Sequence, residues 1–406
     1  MKIILLSGGS GKRLWPLSND QRSKQFIKVL KNDKGKLESM VQRVWRQLKR
    51  SGLQDVTYIA TGESQKSILK SQLGIDDKKI ITEPFRRDTF PAIVLSSLFL
   101  KDREKASVDE NIFVLPVDPY VEEDFFTKVF DLDQMLREKK SKLGLIGINP
   151  TYPSEKYGYI VPNKSKKNIV KTFIEKPNEK KAELLLSNGA CWNAGVFGFK
   201  LGNLVEYLES QGMPTSYEQS AENYDQLPKN SFDYEYVEKQ HDICFVTYEG
   251  FWKDLGTWNT LIEEMDTKSI GISNSIDSVN TNIINETNLP IVTLGVSDLI
   301  VVAGPEGFLV SSIPSSPRVK EIDPSYFESI RFKEEDWGTT KILKKDEFSI
   351  IVEYVIKNGH KVSFDLNENQ KVYKLHGEGD IEYVSNEVIL YGENNFSIIC
   401  ITEEGV

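Results

Sequence analysis

Lys2-Ile3-Ile4-Leu5-Leu6-Ser7-Gly8-Gly9-Ser10-Gly11-Lys12-Arg13-Leu14 opens the chain with a short apolar run followed by a basic, glycine-rich stretch. A run of this length, bounded by turn residues, reads as a buried strand. The glycines after it let the backbone turn tightly and bring its N–H groups close to phosphate oxygens, and Lys12 and Arg13 add positive charge there. Gly8, Gly9, Gly11 and Lys12 are therefore candidate nucleotide-binding residues. The loop is not a Walker A, because Arg13 stands where Ser or Thr must follow Gly-Lys. It is not G-x-G-x-x-G either, because Leu14 replaces the third glycine. Taken alone, such a loop can also be an ordinary turn after a strand.

Outward from this stretch, apolar runs alternate with amphipathic ones as far as about residue 265. Lys2–Leu6, Val56–Ala60, Ile112–Pro116 and Leu143–Ile148 read as buried strands. Glu38–Ser51, Glu63–Gln72, Pro91–Lys101 and Phe125–Lys140 have helical spacing. Strand and helix in turn predict an α/β domain on a mainly parallel sheet, with ligands beyond the carboxyl ends of its strands. Both Ser7-Gly8-Gly9 and Asp118 fall there. After Lys268 the pattern changes. Residues 270–315 are strand-like and rich in Asn, Ser, Ile and Val, Pro314–Pro317 reads as a Ser/Pro linker, and alternating strands return from about Phe327.

Composition narrows the class. The 406 residues are 39% apolar and 27% charged, as in an ordinary globular protein. The first apolar run is too short for a signal sequence, and nothing later approaches a membrane span, so a cytoplasmic protein is expected. Cys191, Cys244 and Cys400 lie far apart and read as reduced thiols. The net charge of −9 argues against nucleic acid polymers and anionic membranes as partners. The first fifty residues run the other way, with thirteen Lys and Arg against three Asp and Glu. Such an excess is either a solvated basic face or a site for a small polyanion.

The longer string Gly8–Leu17 followed by Ser23-Lys24-Gln25-Phe26 resembles the signature of the sugar-1-phosphate nucleotidyltransferases, and its Lys-Gln-Phe continuation is similar to the bacterial mannose-1-phosphate guanylyltransferases. The resemblance implies a Rossmann-like nucleotidyltransferase domain over residues 1–268. A β-helical module (269–320) and a small, degenerate cupin-like β tail (321–406) would follow. It also implies that Arg13 and Lys24 grip the nucleotide's phosphates. Glu83-Pro84-Phe85-Arg86-Arg87-Asp88-Thr89-Phe90-Pro91-Ala92 resembles the segment that lies by the nucleotide, with Arg87 and Asp88 at its centre. Here Asp88 stands for the family's Asn and Phe90 for its Ala. An aspartate only accepts hydrogen bonds, which suits the N–H edge of guanine but equally the amino group of cytosine.

Leu115-Pro116-Val117-Asp118 and Trp252-Lys253-Asp254-Leu255-Gly256-Thr257-Trp258 resemble the family's two metal-binding aspartate motifs, with Pro119 where His is usual. Asp118 and Asp254 would hold Mg²⁺, an ion that keeps several waters and takes phosphate oxygens as ligands. On the sugar-phosphate side, the resemblance places Tyr157-Gly158, then Glu175 and Lys176 of Phe-Ile-Glu-Lys-Pro, then Asn193 and Gly195. Ser231-Phe232-Asp233-Tyr234 is a weaker match and stays outside the predicted site.

No Ser-His-Asp or Cys-His set is evident, and the chemistry needs none. The second pKa of a phosphate monoester is about 6, so the attacking oxygen is already ionised near neutral pH. Catalysis then reduces to alignment by Lys176 and charge neutralisation by Mg²⁺, Arg13 and Lys24. The leading expectation is GTP plus α-D-mannose-1-phosphate giving GDP-mannose and pyrophosphate. The same chemistry on another base or sugar is the alternative, and a non-catalytic sugar-nucleotide sensor is the reading from another class. The tail resembles a shortened phosphomannose isomerase module but has only His360 and His376. It is expected to lack isomerase activity, leaving packing against the core or self-association as a homodimer.

Overall fold

The computed structural model describes residues 1–9, 12–139, 141–327 and 330–403. They form two compact units that do not follow chain order. One contains Met1–Gly8, Arg43–Glu63 and Asp76–Asp254, and the other contains Gly9–Gln42, Ser64–Ile75 and the chain from Leu255 onward.

In the first unit the strands are β1 (Lys2–Leu6), β2 (Thr57–Gly62), β3 (Ile80–Glu83), β4 (Asn111–Pro116), β5 (Pro119–Val121) and β6 (Leu143–Ile148). They continue with β7 (Tyr159–Pro162), β8 (Val170–Ile174), β9 (Cys191–Lys200), β10 (Ile243–Tyr248) and β11 (Trp252–Asp254). The main sheet runs β8-β7-β9-β4-β1-β2-β3, with β6 joining β9 to β10. Pairing is parallel through β4, β1, β2 and β3 and again between β6 and β10. It turns antiparallel where β9 meets β4, β6 and β7. Strands β1, β4 and β6 are buried almost throughout, which is why their sequences read as unbroken apolar runs. The helix predicted over Pro91–Lys101 is Thr89–Asp102, and Phe90, Ile93, Val94, Leu98 and Leu100 bury it in the sheet's core.

Two local features shape the region beyond these strand ends. The register of β9 against β6 shifts between Asn193 and Phe197, and Gly195 there has φ +74. Such a bulge bends a strand and re-aims its side chains, and glycine accepts the left-handed backbone at no steric cost. The second feature is a separate ribbon in which β11 pairs antiparallel with β5, setting Asp254 opposite Pro119.

In the second unit, residues after Gly9 form two short 3-10 turns, Lys12–Leu14 and Lys24–Phe26. The region from Ser269 is β-helical. Ser269–Ile270, Asn282–Asn285 and Leu299–Gly304 stack in parallel, and Ser273–Ile276 stacks on Ile291–Leu294. Asp277, Asn280 and Asp298 take left-handed backbone at its corners, where short polar side chains are tolerated. The stretch read as a Ser/Pro linker is a 3-10 helix, Ile313–Glu321. A proline near its start is compatible with helical φ, so Pro there marks an entry and not a flexible break. The tail is a six-stranded sheet over Ile356, Val388, Leu390, Phe396, Ile398 and Cys400. Cys191, Cys244 and Cys400 are buried, and none of them is in a disulfide. Among the described residues no helix is long and apolar enough to cross a membrane.

Candidate active site

Strand ends and the bulge gather the predicted sugar-side residues of the first unit. Lys176 follows β8 with φ +42, and its ammonium lies 2.8 Å from Glu175 Oε1. Glu175 is buried, while Lys176 is half-exposed and open to a ligand. Its backbone N–H donates to Tyr157 O at 3.2 Å, and Asn193 N–H donates to Gly158 O at 2.7 Å. These bonds tie the three predicted segments together. Gly158 has no room for a side chain: a Cβ would stand 2.5 Å from Glu175 Oε2 and 2.7 Å from Phe173 Cζ. Asn193 Oδ1 accepts from Gly195 N–H at 3.2 Å, so the bulge braces its own side chain.

Burial raises the Glu175 carboxyl above the usual range, although the hydrogen bond from Lys176 opposes it. Burial works against the Lys176 ammonium, yet its bond to Glu175 outweighs that effect and keeps it charged. A cation held over a buried carboxylate suits one phosphate group better than a free lysine would, because its position is fixed before the ligand arrives.

The structure adds residues that the sequence reading left out. Asn193 Nδ2 donates to Asp233 Oδ1 at 3.0 Å, and Glu175 N–H donates to Glu238 Oε1 at 2.8 Å. Burial, reinforced by the charge of Glu175, pushes Asp233 up to about 7. Its sequence signal was faint: a carboxylate one residue after Phe232, in a stretch where Phe232, Tyr236 and Val237 are buried. Tyr157, Trp192 and Trp252 form an aromatic wall, with Tyr157 centred 4.9 Å from Trp192 and 5.4 Å from Trp252. The indole N–H groups of Trp192 and Trp252 are buried and make no hydrogen bond among the described residues. Burial, then the Tyr152 hydroxyl and the negative charges of Asp254 and Asp118, holds the Tyr157 hydroxyl protonated.

Asp118 precedes β5 and Asp254 ends β11, so their ribbon brings two carboxylates that are far apart in sequence to one edge. No group of three or more His, Cys, Asp or Glu converges among the described residues. Two hard oxygen donors fit magnesium, which completes its octahedron with water and phosphate oxygens.

The predicted nucleotide-side residues are divided between the units. In the first, Gly8 faces Glu83, whose carboxylate accepts from Tyr224 Oη at 2.8 Å. Arg87 is engaged by the Leu227 carbonyl, at 3.2 Å from Nε and 2.8 Å from Nη2. Asp88 has φ +73 and caps the helix by accepting from Thr89 N–H at 2.7 Å. In the second unit, Gln65 Nε2 donates to Gly9 O, Asp20 O and Ser23 Oγ and so ties the loop's two arms. Lys12 lies 5.7 Å over the Phe327 ring, Arg13 is exposed, and Lys24 is half-buried. Gly11 lies outside the described residues.

A mainly parallel sheet whose first strand leads in sequence into a basic, glycine-rich stretch is the architecture of a nucleotide-handling α/β protein. The chain belongs to the nucleotidyl transferase family, which matches residues 2–269, and it is a nucleotidyltransferase. It is 31% identical over 358 residues to a mannose-1-phosphate guanylyltransferase of Escherichia coli, covering 79% of this chain and 74% of that protein. It is 25% identical to the alginate biosynthesis protein AlgA of Pseudomonas putida, covering 98% of this chain and 88% of that protein. A crystal structure of mannose-1-phosphate geranyltransferase from Thermus thermophilus superposes with TM-score 0.66 at 26% identity, covering 79% of this chain and 97% of that one.

Proposed function

We propose that this enzyme transfers the guanylyl group of GTP to α-D-mannose-1-phosphate, giving GDP-mannose and pyrophosphate. The observation that carries the reading is the Lys176–Glu175 pair, braced by Tyr157, Gly158 and Asn193 beside an aromatic wall. That arrangement suits a sugar phosphate. The cation takes the phosphate, while Glu175 and Asn193, already held in place by their neighbours, offer their remaining hydrogen-bonding capacity to sugar hydroxyls. The identity to the E. coli guanylyltransferase supports guanine and mannose as the particular base and sugar.

Lys176 holds the attacking phosphate oxygen in line with the α-phosphorus. That oxygen is already ionised near neutral pH, so no protein base is needed. Arg13 and Lys24 bind the triphosphate and offset the charge that grows on the departing pyrophosphate. Asp118 and Asp254 would hold magnesium, which would supply further neutralisation of the phosphate oxygens.

A pyrophosphate-release assay with Mg²⁺ tests the reading by crossing GTP, ATP, CTP and UTP against a panel of sugar 1-phosphates. Turnover confined to GTP with mannose-1-phosphate is expected. Another preferred pair would keep the chemistry and overturn the specificity, with Asp88, Phe90 and Pro119 as candidate selectors. Nucleotide binding without turnover would favour a sensor.

A further inference from the structure

The signature loop is fastened to the C-terminal modules by three glutamates. Arg22 is buried, and its guanidinium donates to both oxygens of Glu286 at 2.7 Å. Nη1 also donates to Leu17 O at 3.3 Å, and the guanidinium lies 5.1 Å from the Phe332 ring. Asn19 Nδ2 donates to Glu306 Oε1 at 2.7 Å and to Phe332 O at 2.9 Å, while Asn19 Oδ1 accepts from Arg22 N–H at 2.7 Å. Glu306 also accepts from the backbone N–H groups of Arg331 and Phe332, so one carboxylate joins the loop, the β-helical module and the tail. Farther along, Lys28 Nζ lies 3.1 Å from Glu334 Oε1, which also accepts from Ser71 Oγ.

The backbones approach closely at the same place. A Cβ on Gly304 would stand 2.6 Å from Leu17 Cδ2, and one on Gly307 would stand 2.8 Å from Trp15 Cζ2. Trp258 Nε1 donates to Trp15 O at 3.0 Å. A merely tethered loop would not need a buried, bidentate ion pair. Burying a guanidinium is costly unless a carboxylate meets it with good geometry, and such a pair fixes one arrangement.

We propose that Glu286, Glu306 and Glu334 are positioning residues for nucleotidyl transfer: they fix residues 15–28 and thereby set Arg13 and Lys24 for the triphosphate. The inference rests on the reading that Arg13 and Lys24 bind the nucleotide. It gives the C-terminal modules a task in the reaction that needs no chemistry of their own.

The test compares Glu286→Gln and Glu306→Gln with wild type in the full-length protein. Each amide keeps the size of the carboxylate and removes its charge. The expected result is a rise of roughly tenfold or more in the KM for GTP, since small misplacements of binding groups cost this much. The KM for mannose-1-phosphate should stay within about twofold, because Lys176 is untouched. Glu286→Asp should recover part of the loss. Leu208→Ala, in the core of the first unit, should lower Tm without separating the two KM values. Amide hydrogen exchange over residues 12–28 should speed up in Glu286→Gln, and this readout does not depend on turnover. Should that variant fail to fold, Arg22→Lys keeps the charge, loses the fork and should shift both readouts the same way. Folded variants with wild-type GTP KM and unchanged exchange would overturn the proposal, as would equal shifts in both KM values. An inactive wild type would count against the proposed function, while the exchange result would still decide the positioning.

Discussion

At the scale of single residues the sharpest prediction concerns Lys176. Its ammonium is held by the buried carboxylate of Glu175, so its position is set before any phosphate arrives. Lys176→Ala should lower kcat by roughly 10²–10³-fold, the usual cost of removing one positioned charge-stabilising donor. Circular dichroism and Tm should change little, because the side chain is half-exposed; a folded variant at wild-type rate would remove Lys176 from the mechanism. Asp233 offers a test by pH. Its folded-state carboxyl titrates at about 7, against 3.8 for an ordinary aspartate. Between those values the folded chain holds more protons than the unfolded one, so stability falls as pH rises from about 4 to 7. Asp233→Asn should flatten that part of the Tm profile, and what slope remains would come from Glu175, which is shifted in the same direction. An unchanged profile would mean that Asp233 titrates normally.

At the scale of elements, the β5–β11 ribbon brings two aspartates that are distant in sequence to one edge. Asp254→Asn keeps the hydrogen-bonded ribbon and weakens one hard anionic donor. The magnesium concentration for half-maximal rate should rise roughly tenfold or more, with kcat falling as well. A magnesium titration of pyrophosphate release reads both, and an unshifted titration would exclude this residue as a ligand. Elements were also what the sequence disclosed best. Strands β1, β4 and β6 were legible because burial on both faces leaves unbroken apolar runs. The helix after Asp88 was legible because its apolar spacing spans several turns. Asp233 was not, because its importance comes from a hydrogen bond to Asn193 across forty residues of chain. The 3-10 helix at Ile313–Glu321 was missed because Ser and Pro favour turns and helix starts alike.

At the scale of the molecule, the sequence order of modules conceals how they are built. Motif order suggests that residues 1–268 form a self-sufficient catalytic piece, but residues 9–42 belong to the same compact unit as the chain after Leu255. Arg22 meets Glu286 across 264 residues, and no local pattern could announce that pairing. The tail's two histidines are each engaged locally. His376 Nδ1 is paired with Ser397 Oγ at 2.8 Å and His360 Nδ1 with Asn358 O at 3.1 Å. The full-length protein is therefore expected not to interconvert mannose-6-phosphate and fructose-6-phosphate, and measurable turnover in a coupled assay would refute that.

A fragment ending at residue 268 would test the architecture more severely. It keeps every aspartate, lysine and arginine assigned to catalysis. Yet it strips Arg22 of Glu286, Asn19 of Glu306, and Lys28 of Glu334. Without those modules Arg22 loses both its carboxylate and the cover that keeps its guanidinium from water, so residues 9–42 lose the contacts that fix them in one arrangement. The fragment should therefore show residues 9–42 open to limited proteolysis and lose turnover, while the main sheet of the first unit keeps its far-ultraviolet signature. A fragment that is protease-resistant across residues 9–42 and turns over at the full-length rate would show instead that the C-terminal modules are dispensable.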